Sequence, residues 1–166
     1  MKVLVAYYSD TGNTKKVADV IYDAIGESEK EICLATEASN LSDYDLIICG
    51  FPVQSMGLPA KMEAFVKGIP EGKNVAFFAT HGSLRGGALA ITAFFAALSL
   101  SKNLKVMGTF GCRGVVKQGI IDALLKQAEH RGWALEAQSA VGHPDEADLE
   151  DAKAFATAMI TKARAK

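Results

Sequence analysis

Apolar positions along this chain alternate between two spacings. Short, nearly unbroken runs read as strands: Val3 to Tyr8, Glu31 to Ala35, Asp45 to Gly50, Val75 to Ala79 and Leu104 to Phe110. The run ending at Gly50 leaves no polar face, as in strands buried on both sides of a parallel sheet. Between the runs, apolar residues recur at helical spacing. Val17, Ala18, Val20, Ile21, Ala24 and Ile25 predict a helix over 13–25, with Gly26 as its stop. Further helices are expected over about 59–67, 88–100, 117–131 and 146–162, and turns rich in glycine and proline punctuate the boundaries.

Strand and helix in strict alternation, joined by right-handed crossovers, predict an α/β fold of three layers. A five-stranded parallel sheet would carry helices on both faces. In open sheets of this kind ligands bind beyond the carboxyl ends of the strands, where the strand order reverses. The segment leaving the first strand, Ser9-Asp10-Thr11-Gly12-Asn13-Thr14, is built for such a place. Three hydroxyls, one amide, a glycine and the unpaired amides of a helix start converge there, as a phosphate dianion requires. The plainer reading is a capped helix with nothing bound.

Ser-x-Thr-Gly-x-Thr directly after an N-terminal strand resembles the phosphate-binding loop of the flavodoxin family, and the likeness extends over nearly the whole chain. It implies a flavodoxin-like sheet of order 2-1-3-4-5 and one non-covalently bound flavin mononucleotide, FMN. The phosphate would sit on Ser9, Asp10, Thr11, Gly12, Asn13 and Thr14. The flavin ring would lie between two further loops. One offers Pro52, Val53, Gln54, Ser55, Met56 and Gly57; the other offers Thr80, His81, Gly82, Ser83, Arg85 and Gly86. Relative to common flavodoxins, the third loop has no Tyr to stack on the outer flavin face and the second lacks the inner-face Trp. Stacking would fall to Met56, Val53, Leu84 or His81, or leave the ring accessible. Arg85 near the flavin would favour its anionic reduced form, and His81 could exchange protons near neutral pH.

Composition narrows the function. At 166 residues, 49% hydrophobic and 22% charged, the chain fits one globular domain, with disorder at most in the last few residues. A net charge of −1 lacks the basic footprint of a nucleic-acid binder, and it departs from the acidic balance of many electron-carrying flavodoxins. The first strand begins too early for a signal peptide, so a cytoplasmic location is expected. Cys33, Cys49 and Cys112 have no metal-ligand spacing and are expected as free thiols. Cys112, in an expected turn over 111–114 bordering the site, reads as structural.

The acids from Asp145 to Asp151 read as capping of the last helix without a metal site. His143 reads as ordinary, and Trp133 as core. The uncharged segment 88–100 is too short to span a bilayer, so no membrane insertion is expected. It reads as a buried helix, with Phe94 or Phe95 as an alternative contact for a homodimer or redox partner.

The resemblance implies an electron-transfer protein serving a cytoplasmic redox partner. Two alternatives stand beside it: a quinone or small-molecule oxidoreductase using the flavin itself, and a flavin-free protein-interaction module.

Overall fold

A computed structural model describes residues 1–165; Lys166, the end of the expected frayed terminus, lies outside the described residues. Five parallel strands run in the order β2-β1-β3-β4-β5. They are β1 (Lys2–Tyr7), β2 (Glu29–Leu34), β3 (Leu46–Pro52), β4 (Asn74–His81) and β5 (Lys105–Arg113). The helices are α1 (Asn13–Ala24), α2 (Ala60–Lys67), α3 (Ala88–Leu100), α4 (Gln118–Leu125), α5 (Arg131–Gln138) and α6 (Glu146–Arg164).

The strand period of two sorts one apolar run into two cores. Val3, Val5 and Tyr7 of β1 pack with Val17, Ile21, Phe155 and Ile160 of α1 and α6. Leu4 and Ala6 point the other way, towards Met62, Phe65, Ala93 and Ala97 of α2 and α3. Hence β1 and β3 need no polar face, because helices cover both sides of the sheet.

Besides shifts of one or two residues at the ends of β2 and β3, three differences from the sequence reading bear on the site. Strand β4 runs on through Thr80 and His81, and β5 runs through Gly111 to Arg113, so the expected turn over 111–114 is mostly strand. Gly111 breaks nothing. It makes room, since a Cβ there would sit 3.2 Å from both His81 Nε2 and a Phe94 ring carbon. Cys112 is then fully buried in β5, which fits its structural reading, and burial pushes its thiol up to about 12.

The third difference is larger. In place of one helix over 117–131, the chain makes a hairpin of α4 and α5, folded back at residues 126–130. Ile121, Ala134 and Ala137 form its own small core, flanked by Leu124, Leu125, Val116 and Trp133. Gly132 lies inside the first turn of α5 and stops nothing.

Helix α3 spans 88–100 as expected, but it is buried on one side only. Ala90, Ala93 and Ala97 face the sheet, and Phe94 meets Phe51 edge-on at 6.3 Å. Ile91, Phe95 and Leu98 face outward, with Phe95 65% exposed. Among the described residues no helix is long and apolar enough to cross a membrane.

Candidate functional site

The loops leaving β1, β3 and β4 meet at the carboxyl end of the sheet, and hydrogen bonds between them fix the meeting. Gln54 Nε2 donates to Asp10 Oδ2 at 2.7 Å, joining the first loop to the second. The hydroxyls of Thr14 and Thr80, both buried, share a 2.8 Å bond that joins the first to the third. Val53 N–H donates to the Thr80 carbonyl at 2.9 Å, continuing the β3–β4 ladder.

At the start of α1, Gly12 takes φ 90°, a left-handed conformation that suits glycine and turns the chain into the helix. Ser9 Oγ accepts from the N–H groups of Gly12 at 3.1 Å and Lys15 at 3.3 Å. The N–H groups of Thr11, Asn13 and Thr14 find no acceptor among the described residues. Three free amides at a helix N-terminus, where the dipole is positive, are the donor set an anionic phosphate needs. Asp10 is drawn aside by the Tyr8 hydroxyl, which donates to it at 2.7 Å, and by Gln54. That bond to Asp10 is also the main cause that raises the Tyr8 pKa.

Asp10, Thr11, Asn13, Pro52, Val53, Gln54, Thr80, His81 and Gly82 line a cleft of about 130 Å³. Its remaining wall is Gly114, Val115, Val116, Lys117 and Ile120. Sequence reasoning had the segment after β5 bordering the site without lining it. The α4–α5 excursion changes this by carrying residues 114–120 across the strand ends. A hollow of about 240 Å³ lies between Val66–Glu71 and Ser99–Leu104, at the amino end of β4 and β5. Sheet topology puts ligands at the opposite end, so the smaller cleft is the candidate site.

The remaining expected site residues stand around this cleft. Ser55 (φ 47°) and Met56 (φ 62°) occupy the tip of a tight turn closed by paired bonds between Gln54 and Gly57. Neither is glycine, so the turn holds two left-handed residues at a local cost. Met56 is exposed.

Beyond Gly82 the third loop leans away from the cleft. Ser83 is buried and its Oγ accepts from Trp133 Nε1 at 2.9 Å; Leu84 N–H donates to Glu136 Oε1 at 2.5 Å. Arg85 pairs with Asp148 at 2.8 Å and with Asp151, so its charge is aimed at the start of α6. The structure therefore corrects the expectation that Arg85 sits free beside a ligand. Gly86, at φ 74°, makes the turn that follows.

His81 Nδ1 lies 3.0 Å from the Ser83 carbonyl oxygen. A carbonyl only accepts, so Nδ1 carries the proton and Nε2 is bare in the neutral ring. Burial holds the His81 pKa below the usual histidine range; the Ser83 bond opposes this and the Arg113 charge adds to it. His81 is thus a neutral donor fixed on its own loop.

Sequence reasoning missed two buried charges. Arg113 sits in β5 and donates to the carbonyls of Gly82, Glu136 and Ser139 and to Ser139 Oγ, gripping the C-terminal turn of α5. Asp148 forms a capping box with Asp145, as the acidic run suggested, and it also accepts from Arg85 at 2.8 Å and His143 at 2.5 Å. Burial pushes its carboxyl up, but the bonds from His143, Arg85 and the Asp145 region outweigh this and hold it below the usual range. Only the i, i+3 spacing of Asp145 and Asp148 was visible in sequence. Of the other partners of Asp148, His143 comes from the segment just before α6 and Arg85 from a distant loop.

A doubly wound parallel sheet with an amide-lined turn at the reversal of strand order is the arrangement in which open α/β proteins hold their ligands. The family model described as flavodoxin domain matches residues 4–157, and the chain belongs to the flavodoxin family. It is similar, at 33% identity with 98% of each chain covered, to the flavodoxin-like domain-containing protein BilS of Clostridioides difficile (strain CD3). Among solved structures it resembles a flavodoxin from the domain Archaea, with TM-score 0.65, 19% identity and 99% of each chain covered. It also resembles a flavoprotein in complex with FMN from Lactobacillus acidophilus NCFM. That likeness has TM-score 0.54 and 22% identity, covering 66% of this chain and 92% of the other.

Proposed function

We propose that the protein binds one FMN and transfers electrons to or from a cytoplasmic redox partner. The observation that carries this reading is the set of free amides on Thr11, Asn13 and Thr14, opening beside a cleft at the switch point of a flavodoxin sheet. When bound, FMN supplies one- or two-electron chemistry, and the protein holds and tunes it. Thr11 and Asn13 would take the phosphate with the loop amides, and Lys117 adds a cation to the same cleft. Ser9 props the loop from beneath, through the Gly12 and Lys15 amides.

Val53 and the 114–120 segment would flank the ring, with Thr80 and Gly82 beneath it. The cleft at about 130 Å³ is smaller than the roughly 300 Å³ or more of drug-sized sites. Entry of the ring would therefore part Gln54 from Asp10, a contact between two exposed side chains. A wall opposite Val53 limits access to the ring face, which favours a carrier over an enzyme that must admit a substrate there.

The test is FMN binding followed by flavin fluorescence, then an anaerobic reductive titration of the loaded protein. Thr11→Ala removes one hydroxyl from a charged group and should weaken binding by about 1.5 to 3 kcal/mol. Unchanged affinity would remove the phosphate loop from the site. Reduction in two separated one-electron steps supports the carrier. Steady turnover of a nicotinamide with a quinone, without a second protein, would replace the carrier with an oxidoreductase.

A further inference from the structure

We infer that the α4–α5 hairpin is a ring-binding wall of the cofactor site, with Ile120 as its contact residue and an aliphatic surface where an aromatic one would otherwise stack. The inference rests on the FMN reading above and assigns the ring to a particular face.

Among the described residues no Phe, Tyr or Trp lines the cleft, and its one aromatic ring, His81, is buried and held to the Ser83 carbonyl. Its apolar surface comes from Val53 on one side and from Val115, Val116 and Ile120 on the other. The hairpin buries Ile121 in its own core and packs Leu124 and Leu125 against it, yet Ile120 is 47% exposed at the cleft and Val115, just before α4, is 41% exposed there. Val116 lies over the floor, where a Cβ on Gly82 would come within 2.5 Å of its Cγ2. A planar apolar ring system held at one end by the phosphate loop would cover this open aliphatic surface.

The wall is continuous with the phosphate loop. Asn13 Nδ2 donates to the Val115 carbonyl at 2.9 Å, and Gly114 packs so closely on Asn13 that a Cβ would approach its Nδ2 to 2.9 Å. Gly114 N–H donates to the His81 carbonyl, and Val115 N–H to the His143 carbonyl. Farther along, Arg113 holds the end of α5, Trp133 bonds Ser83, and Glu136 bonds the Leu84 amide. Three successive residues of the third loop, Gly82, Ser83 and Leu84, are thus committed to the hairpin system. Beyond Gly82 that loop has turned its polar groups towards the hairpin, while Thr80, His81 and Gly82 stay at the cleft beside residues 114–120.

Two ligands separate ring contacts from phosphate contacts: FMN, and riboflavin, which has the same ring without the phosphate. Ile120→Ser should weaken both by a similar factor, about tenfold, the scale of losing roughly half an isoleucine's burial. It should also raise quenching of the bound flavin by iodide. Thr11→Ala should weaken FMN and leave riboflavin unchanged. Ile120→Met should restore both affinities to within about twofold, since it keeps an apolar side chain of similar size. Leu135→Ser, on an exposed position of α5 away from the cleft, should change neither. If wild-type protein binds FMN and Ile120→Ser changes neither affinity nor quenching, the wall assignment is overturned while the FMN reading stands. If wild-type protein binds neither flavin, both fall together.

Discussion

Replacing Asp148 by asparagine keeps the shape of a buried side chain and removes its charge. The carboxylate accepts from Arg85 Nη2 at 2.8 Å, His143 Nδ1 at 2.5 Å and Asp145 N–H at 3.1 Å. Asparagine has one acceptor oxygen, so its amide group must face either the Arg85 guanidinium or the Asp145 N–H with donor against donor. Losing one bond to a charged group costs about 1.5 to 3 kcal/mol. Arg85 is 47% exposed and recovers part of its loss from water.

We expect a net destabilisation of about 1 to 2.5 kcal/mol, or about 2 to 10 °C in Tm for a domain of this size. The pH dependence has a definite sign. Because the folded-state pKa of Asp148 is lowered, its stabilisation is whole above the unfolded value near 3.9 and disappears as pH falls through the folded value. Urea unfolding of wild type and Asp148→Asn at pH 7 should differ by the full amount, and the gap should close in acid. A difference under about 0.5 kcal/mol at pH 7, the scale of an ordinary surface change, would refute the reasoning. So would a gap that does not begin to shrink as the pH is lowered below about 3.9.

Three other expectations test separate parts of the molecule. In Gly50→Ala the new Cβ would lie 1.9 Å from Phe78 Cζ in the middle of a packed core. The variant should lose about 3 kcal/mol or more, read as a collapse of the urea midpoint, whereas a midpoint within experimental error of wild type would mean that the strand and ring are less tightly apposed. His81, with its pKa lowered mainly by burial, contributes fully above the unfolded value near 6.5 and costs stability as pH falls below it. An NMR titration should find its midpoint below 6.5 with the proton on Nδ1, and a midpoint above 6.5 contradicts the buried neutral ring. Of the three thiols, Cys49 and Cys112 are buried and Cys33 is half-buried, so an aromatic disulfide reagent should label Cys33 first in native protein and the others only on unfolding. Rapid labelling of all three would show that the sheet opens.

The strands and the turn into α1 were legible because they rest on local signals, whereas the sheet order came only with the resemblance to the flavodoxin family. Apolar runs without a polar face, such as Leu46 to Cys49, can only be central strands of a covered sheet. Gly12 before an amphipathic stretch marks the helix start where the structure has it. Helix α3 matches its expected limits for the same reason, although sequence alone could not say that Phe94 would turn inward and Phe95 outward.

Contacts between segments distant in sequence decided the rest. Arg85 is a loop cation whose direction depends on Asp148 and Asp151, more than 60 residues away, and nothing local chooses between them and a ligand. Arg113 looked like part of a glycine turn, yet the oxygen atoms it serves lie on Gly82 and at the end of α5, a helix that the sequence reading did not separate from the one before it. The spacing of Trp133, Ala134 and Ala137 carried a faint signal of that helix, too short to register without Ile121 opposite it. Local chain preferences specify elements and turns over a few residues. Which wall closes the cleft depended on how one excursion from the sheet packs back across the strand ends, and only the tertiary structure could decide it.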